Sequence, residues 1–130
     1  MQCMLLLKDR PEDFLVVSGD DALALPQMSC GMDGIISVAA NAFPESVAEM
    51  IRLALDYRMD KAKLINDTLL EAFDLMFSEN NPAGVKAFMA EMGLLNNNLR
   101  LPLVPLSAAL HEKVKAYLSN QHRLKKMQLV

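Results

Sequence analysis

Residues 14–41 read FLVVSGDDALALPQMSCGMDGIISVAAN, and the order of apolar and turn residues within them decides the fold class. Phe14, Leu15, Val16 and Val17 form an unbroken apolar run, the pattern of a strand buried on both faces, as parallel strands are. Ser18, Gly19, Asp20 and Asp21 then turn the chain. Glycine supplies backbone freedom there, and an aspartate suits the opening of a helix. Residues 22–30 make that helix a short one, since Pro26 is tolerable only near its first turn. Gly31 ends it, and residues 34–38, GIISV, are the second strand. Strand-helix-strand units belong inside repeated α/β domains. Here the unit begins almost at the N-terminus and helical pattern follows it, so the chain is expected to be the tail of a larger fold.

On the N-terminal side, residues 2–7 read as the end of a helix that Pro11 stops. On the C-terminal side everything from Pro44 onward has helical spacing. Val47, Met50, Ile51 and Ala54 fall at i, i+3, i+4 and i+7 behind a proline whose missing N–H is harmless at a helix start. Residues 60–77 carry Ala62, Ile65, Leu69, Ala72, Phe73 and Met76 along one stripe. Asn81 and Pro82 are expected to cap and open a third helix bearing Val85, Phe88, Met89 and Met92, closed by Gly93. Residues 94–105 form an irregular connector because of Pro102 and Pro105. Ser107 then caps a last helix that turns Leu110, Val114, Tyr117 and Leu118 inward.

Composition narrows the classes of function. Hydrophobic residues make up 52% of the 130 and charged residues 22%, the balance of a soluble chain with a core of its own. A net charge of −3 gives no reason to expect nucleic acid or an anionic membrane surface. The basic cluster His122, Arg123, Lys125 and Lys126 reads as a helix end whose cations suit the negative pole of the macrodipole. No apolar run reaches membrane-spanning length, and the opening MQCMLLLKDR lacks the cleavage site of a signal peptide, so a cytoplasmic location is expected. Cys3 and Cys30 are too few and too far apart in sequence for a zinc motif or a disulfide scaffold, and they suit a reducing compartment. Cys30 is expected to be a small buried apolar residue. Neither histidine, His111 or His122, offers it a base.

Chemistry can be sought at the turn after the first strand, because α/β proteins place ligands beyond the carboxyl ends of their strands. Asp20 and Asp21 are either paired carboxylates or turn and cap residues, and capping is the commoner role. They make a poor metal set without a histidine nearby. Gly19 either serves the turn or lets a substrate approach the backbone closely. Residues 37–41 end the second strand at the same face and could offer backbone groups to a polar substrate. No activated nucleophile stands out.

SGDDALALPQM, GIISVAAN, NNPAGVKAFMAEMGL and LRLPLVPLS, in this order and spacing, resemble the C-terminal part of the dihydrodipicolinate synthase family. These are pyruvate-dependent class I aldolases, a group that includes N-acetylneuraminate lyase, and the likeness runs from about residue 8 to residue 118. LRLPLVPLS together with SGDD favours the synthase branch over the lyase branch. The resemblance implies a (β/α)8 barrel followed by a helical C-terminal domain, assembled as a dimer or tetramer. It implies condensation of pyruvate with aspartate semialdehyde, in lysine and diaminopimelate synthesis, with no cofactor and no metal.

By the same resemblance, residues 14–18 and 34–38 correspond to the seventh and eighth barrel strands. Residues 1–58 are then the last part of the barrel and residues 59–130 the helical domain, so this chain is mainly α with two short parallel strands. Gly19, Asp20 and the backbone of Ile36 are implied to line the pyruvate site. The family's Schiff-base lysine, its tyrosine and its threonine pair are expected upstream of Met1. Lys8 does not lie in the corresponding strand motif, and Tyr57 and Tyr117 lie on helices, so no catalytic residue is assigned and the chain alone is expected to be inactive. Met32 stands where these synthases commonly carry a second glycine, a possible positive-φ position, and Asn80 where they usually have proline. Open strand edges imply self-association. Two other readings remain: a non-catalytic helical interaction module on the same scaffold, and a small enzyme using Asp20, Asp21 and Ser37.

Overall fold

The computed structural model describes residues 2–127, with side chains described as far as residue 121. It divides into two compact units, Met1–Leu70 and Glu71–Val130. In the first, α1 (Gln2–Lys8), β1 (Val17–Ser18), α2 (Ala24–Ser29), β2 (Gly34–Ile35), a 3-10 turn (Ala39–Asn41) and α3 (Pro44–Leu55) are followed by the opening of α4 (Met59–Phe77). The strands pair in parallel, Val17 opposite Gly34 and Ser18 opposite Ile35, and α2 is the crossover between them. The protein is thus mainly helical, with two short parallel strands.

Helical spacing builds the core of this unit. Leu25 and Met28 of α2 meet Met50, Leu53 and Ala54 of α3, with Ala24, Met32 and Ala62 completing the buried cluster. Pro44 opens α3, as its missing N–H allows. At the other end Tyr57 takes a left-handed conformation, φ 59°, while the N–H of Arg58 returns to the carbonyl of Leu53 at 2.8 Å.

Three expectations for this unit are corrected. The apolar run 14–17 is not buried on both faces: Phe14 is 62% and Leu15 71% exposed, because β2 is the single strand paired to β1 among the described residues. Met32 does not adopt a positive φ, which among the described non-glycine residues Tyr57 alone does. Its side chain instead enters the core, 8% exposed, and that burial is what a glycine there would forgo. Cys30 is exposed rather than buried, since it caps α2 one residue past the last inward-facing turn.

The second unit contains the rest of α4, then α5 (Ala83–Glu91) and α6 (Ala108–Met127). Phe73, Met76, Phe88 and Val114 are fully buried, and the rings of Phe88 and Tyr117 pack edge to face at 5.7 Å. Gly84 sits so close to α4 that a Cβ there would lie 2.0 Å from the Met76 carbonyl oxygen. Only glycine fits at that crossing.

Ser107 caps α6 as expected: its Oγ accepts the N–H of Leu110 at 3.3 Å. Asn81 does not cap α5. Pro82 holds the cap position, with no side-chain bond, and α5 begins one residue later. Met92, placed on the α5 stripe by spacing, lies beyond the helix and is 39% exposed. The side chains of His122, Arg123, Lys125 and Lys126 lie outside the described residues.

Candidate functional site

The carboxyl ends of β1 and β2 bring the residues implied by sequence to one place. Gly19 and Asp20 directly follow β1, and Ile36 directly follows β2 in the parallel register. Gly19 has no positive φ and nothing lies within 4 Å of the position its Cβ would occupy. Neither turn geometry nor packing among the described residues demands glycine there. Ile36 is 75% exposed, and its N–H is bound to the Ser18 carbonyl at 2.8 Å. Its backbone therefore offers a ligand a carbonyl oxygen.

The two adjacent aspartates have opposite fates. Asp20 is exposed and held in a tight turn: its N–H donates to Ser18 Oγ at 3.1 Å, that hydroxyl donates to the Asp20 carbonyl at 3.0 Å, and Asp20 Oδ1 accepts the N–H of Leu23 at 3.1 Å. It braces the turn before α2 rather than capping the helix itself. Asp21 is buried, 2% exposed. Its Oδ2 accepts the N–H groups of Val38 at 3.0 Å and Ala39 at 3.1 Å, and its Oδ1 accepts the Ser37 hydroxyl.

Ser37 Oγ in turn accepts the N–H of Ala40 at 2.8 Å. The carboxylate thus sits on the opening N–H groups of the 3-10 turn, where helix-like starts favour a negative charge. Asp21 and Ser37 therefore form a brace on the segment that carries Ile36. Asp21 is the residue that sequence undervalued, and its only signal was an acidic residue followed, sixteen positions on, by a serine at the end of the second strand.

The opposite ends of the strands are closed by charge. Arg10 forks onto both carboxylate oxygens of Asp33, with the Nη2 to Oδ1 distance 3.0 Å, and Asp33 Oδ2 also accepts the N–H of Val16 at 2.8 Å. The guanidinium, and then the Val16 amide, hold the Asp33 carboxyl below its ordinary value. None of the implied ligand residues is at this end.

Other candidates for chemistry lie elsewhere. Lys8 is exposed at the end of α1. Tyr57 is 94% exposed, and the phenol of Tyr117 is pushed up to about 12 by burial. A shallow groove lined by Glu45, Ser46, Glu49, Leu64, Ile65 and Thr68 contains none of the implied residues. Among the described residues, no three His, Cys, Asp or Glu side chains converge as a metal set would, and no helix is long and apolar enough to cross a membrane.

Comparison with known proteins supplies the context for this geometry. Residues 1–121 match the model of the dihydrodipicolinate synthetase family. The chain is 45% identical over 114 residues to a 4-hydroxy-tetrahydrodipicolinate synthase of Azobacteroides pseudotrichonymphae, a match covering 88% of this chain and 38% of that protein. It is 43% identical over 113 residues to the enzyme of the same name from Parabacteroides distasonis, covering 87% and 38%. The crystal structure of dihydrodipicolinate synthase from Aquifex aeolicus superposes with a TM-score of 0.89 at 37% identity, over 92% of this chain and 41% of that one. The synthase structure from Methylacidiphilum fumariolicum SolV gives 0.89 at 39% identity, over 98% and 43%. The chain therefore spans roughly two fifths of the length of the relatives it matches.

Proposed function

The chain belongs to the dihydrodipicolinate synthetase family, and from that premise we propose that it is the C-terminal part of a lyase that condenses pyruvate with aspartate semialdehyde in lysine and diaminopimelate synthesis. Residues 1–58 are the end of the barrel and residues 59–130 the helical domain that follows it. A cytoplasmic location and assembly into homo-oligomers go with this reading. The observation that carries it is the meeting of Gly19, Asp20 and Ile36 beyond the carboxyl ends of two paired parallel strands, where barrel enzymes bind substrate.

In this reading Gly19 is glycine because pyruvate needs the space its side chain would fill, and the backbone of Ile36 lies beside the bound pyruvate. Asp20 stands at its rim with its backbone fixed by Ser18. Asp21 acts through the backbone, holding residues 37–39 so that Ile36 keeps its place. It is a positioning residue and does not touch substrate.

The 130-residue chain by itself forms no Schiff base. An amine becomes a good nucleophile near neutral pH when it is desolvated or set beside another cation. Lys8 is exposed to water. Tyr57 stands in full solvent and Tyr117 is buried against Phe88, and neither is assigned the proton-relay role. Incubation of the chain with pyruvate and borohydride is expected to leave its mass unchanged. A stable adduct on Lys8 or any other lysine would overturn this.

A chimera tests the activity itself. Residues 8–130 are joined behind that part of the Parabacteroides distasonis synthase which the match leaves uncovered, and consumption of aspartate semialdehyde with pyruvate is followed. The chimera is expected to be active, and Gly19→Val to raise KM for pyruvate by about tenfold or more, the mark of lost ground-state binding. A folded chimera with an unaltered pyruvate KM in Gly19→Val removes Gly19 from the site. Light scattering tests self-association: Phe14, Leu15 and Ile36 are exposed apolar side chains around the strands, and a clean monomer would refute it.

A further inference from the structure

The strand pair is covered on one face and bare on the other. Val16 and Ile35 pack against the buried cluster that α2 and α3 supply. Val17 and Ile36, the next residues along the chain, turn the opposite way, and they are 39% and 75% exposed. Gly34 shares their face, since a Cβ on it would lie 3.9 Å from Val17 Cγ1, and Leu15 precedes them in the open. Parallel sheets are normally covered on both faces. Each strand also has a free edge, because β1 and β2 pair only with each other among the described residues. Helix α1 adds a further bare surface: it has no buried residue, and Met4 and Leu5 are largely exposed.

The ties that hold this face in shape lie within the chain. Asp33 binds Arg10 and the Val16 N–H at one end of the strands, and Asp21 binds Ser37 and the N–H groups of Val38 and Ala39 at the other. The helix cluster supports the pair from behind. A partner therefore meets a preformed surface, and little of the binding free energy is lost in ordering it.

On the reading of the chain as the C-terminal part of a synthase, we propose that this face and its two free edges bind the remaining part of a synthase barrel supplied as a separate polypeptide, and that the two assemble into an active enzyme without a covalent link. The relatives carry about three fifths of their length beyond the part this chain matches. That remainder of a closed barrel ends in two strand edges of its own, so it fills both free edges at once and covers the bare face. A second copy of this chain does less. Related by a two-fold axis, it pairs one kind of edge with itself and leaves the other kind open.

The test co-produces the 130-residue chain, carrying an affinity tag, with the part of the Parabacteroides distasonis synthase that the match leaves uncovered, as two polypeptides in a host without a synthase of its own. Equal amounts of the two are expected to co-purify. The pair should consume aspartate semialdehyde with pyruvate at a rate within about tenfold of the fused chimera, since a link raises effective concentration without changing the site. Either polypeptide alone should give no turnover. Amide exchange over residues 14–18 and 34–36 should slow by about tenfold or more on assembly. Leu15→Lys, at a position exposed in the free chain, should leave that chain folded and cut co-purification by about tenfold or more, because docking buries an unpaired charge. An active chimera beside a pair that does not co-purify, or that assembles and stays inactive, overturns the proposal and leaves the function standing. Co-purification that Leu15→Lys does not weaken, or that comes without slower exchange at the strands, places the contact elsewhere and overturns it as well. A folded chimera without activity overturns the function, and the proposal with it.

Discussion

The two units hold themselves together by different means. Around β1 and β2 the long-range ties are carboxylates: Asp33 clasps Arg10 and the Val16 amide at one end of the strands, and Asp21 gathers Ser37, Val38 and Ala39 at the other. Phe14, Leu15 and Ile36 meanwhile remain exposed. In the helical unit close apolar contacts predominate, with Phe73, Met76, Phe88 and Val114 fully buried and the backbones of α4 and α5 touching at Gly84, and the carboxylate of Glu79 on Ser107 is added to them at the surface. A two-stranded sheet is marginal in water on its own, so polar bonds with sequence separations of 16 to 23 do there what burial does among the helices. The units should therefore respond to opposite kinds of damage.

The largest expected effect is steric. Gly84→Ala places a methyl group 2.0 Å from the Met76 carbonyl oxygen, so α4 and α5 must separate. Overpacking of this kind costs on the order of 3 kcal/mol, more than alanine's better helix propensity returns. Gly34→Ala in the strand unit meets only Val17 Cγ1, at an ordinary 3.9 Å, and should change stability by about 0.5 kcal/mol or less. Denaturant unfolding of the two variants measures the contrast. Equal losses would mean that backbone proximity does not distinguish the units.

Next comes the carboxylate brace. Asp21→Asn keeps the shape but sets an amide N–H₂ among donors, so either Ser37 or the amides of Val38 and Ala39 lose an acceptor. Leaving a buried donor unmatched costs about 2 kcal/mol. Hydrogen exchange should speed up first at Val38 and Ala39, and the helical unit should keep its protection. Uniform loss of protection across both units would show that the brace supports the whole chain and is not local to the strands.

How much of this could be read in the residues follows the same division. The stripes of α3, α4 and α6 were legible because spacing at i, i+3 and i+4 reports burial inside a single element, and the segments 18–28, 34–41, 80–94 and 99–107, in their order and spacing, carried the family resemblance. Asp21 was not legible. Two adjacent aspartates look alike in sequence, and only the turn, together with partners sixteen to eighteen residues away, buries one and exposes the other.

The run Phe14 to Val17 shows the other limit. Continuous apolarity says what surroundings a segment requires, and it does not say which residues supply them. Cys30, expected inward, turns outward for a related reason: a shift of one residue at a helix end decides which side chain is buried, and helix ends are where pattern is least exact. The implied ligand residues Gly19, Asp20 and Ile36 came from resemblance, since nothing in their spacing alone set them apart from an ordinary turn.

Acid provides the smallest and most selective probe. Asp33, through Arg10 and the Val16 amide, and Glu79, through the hydroxyl and then the amide of Ser107, both have carboxyls held below their ordinary values. A group whose folded value is depressed contributes stability that is fully present above its unfolded value and disappears as pH falls through the folded one. Stability should thus be level at neutral pH and begin to fall as pH drops through 4.5 for Glu79 and 3.8 for Asp33, continuing below those values. Both carboxylates are in contact with solvent, which weakens their bonds. The loss should be gradual rather than a sharp transition. Asp33→Asn removes the strand unit's share while leaving that of Glu79, so exchange at Val16 should lose its acid dependence while exchange at Ser107 keeps it. If Asp33→Asn flattened both, the carboxylate ties of the two units would be titrating as one system, and the separation between a unit held by charge and a unit held by packing would fail at its most sensitive point.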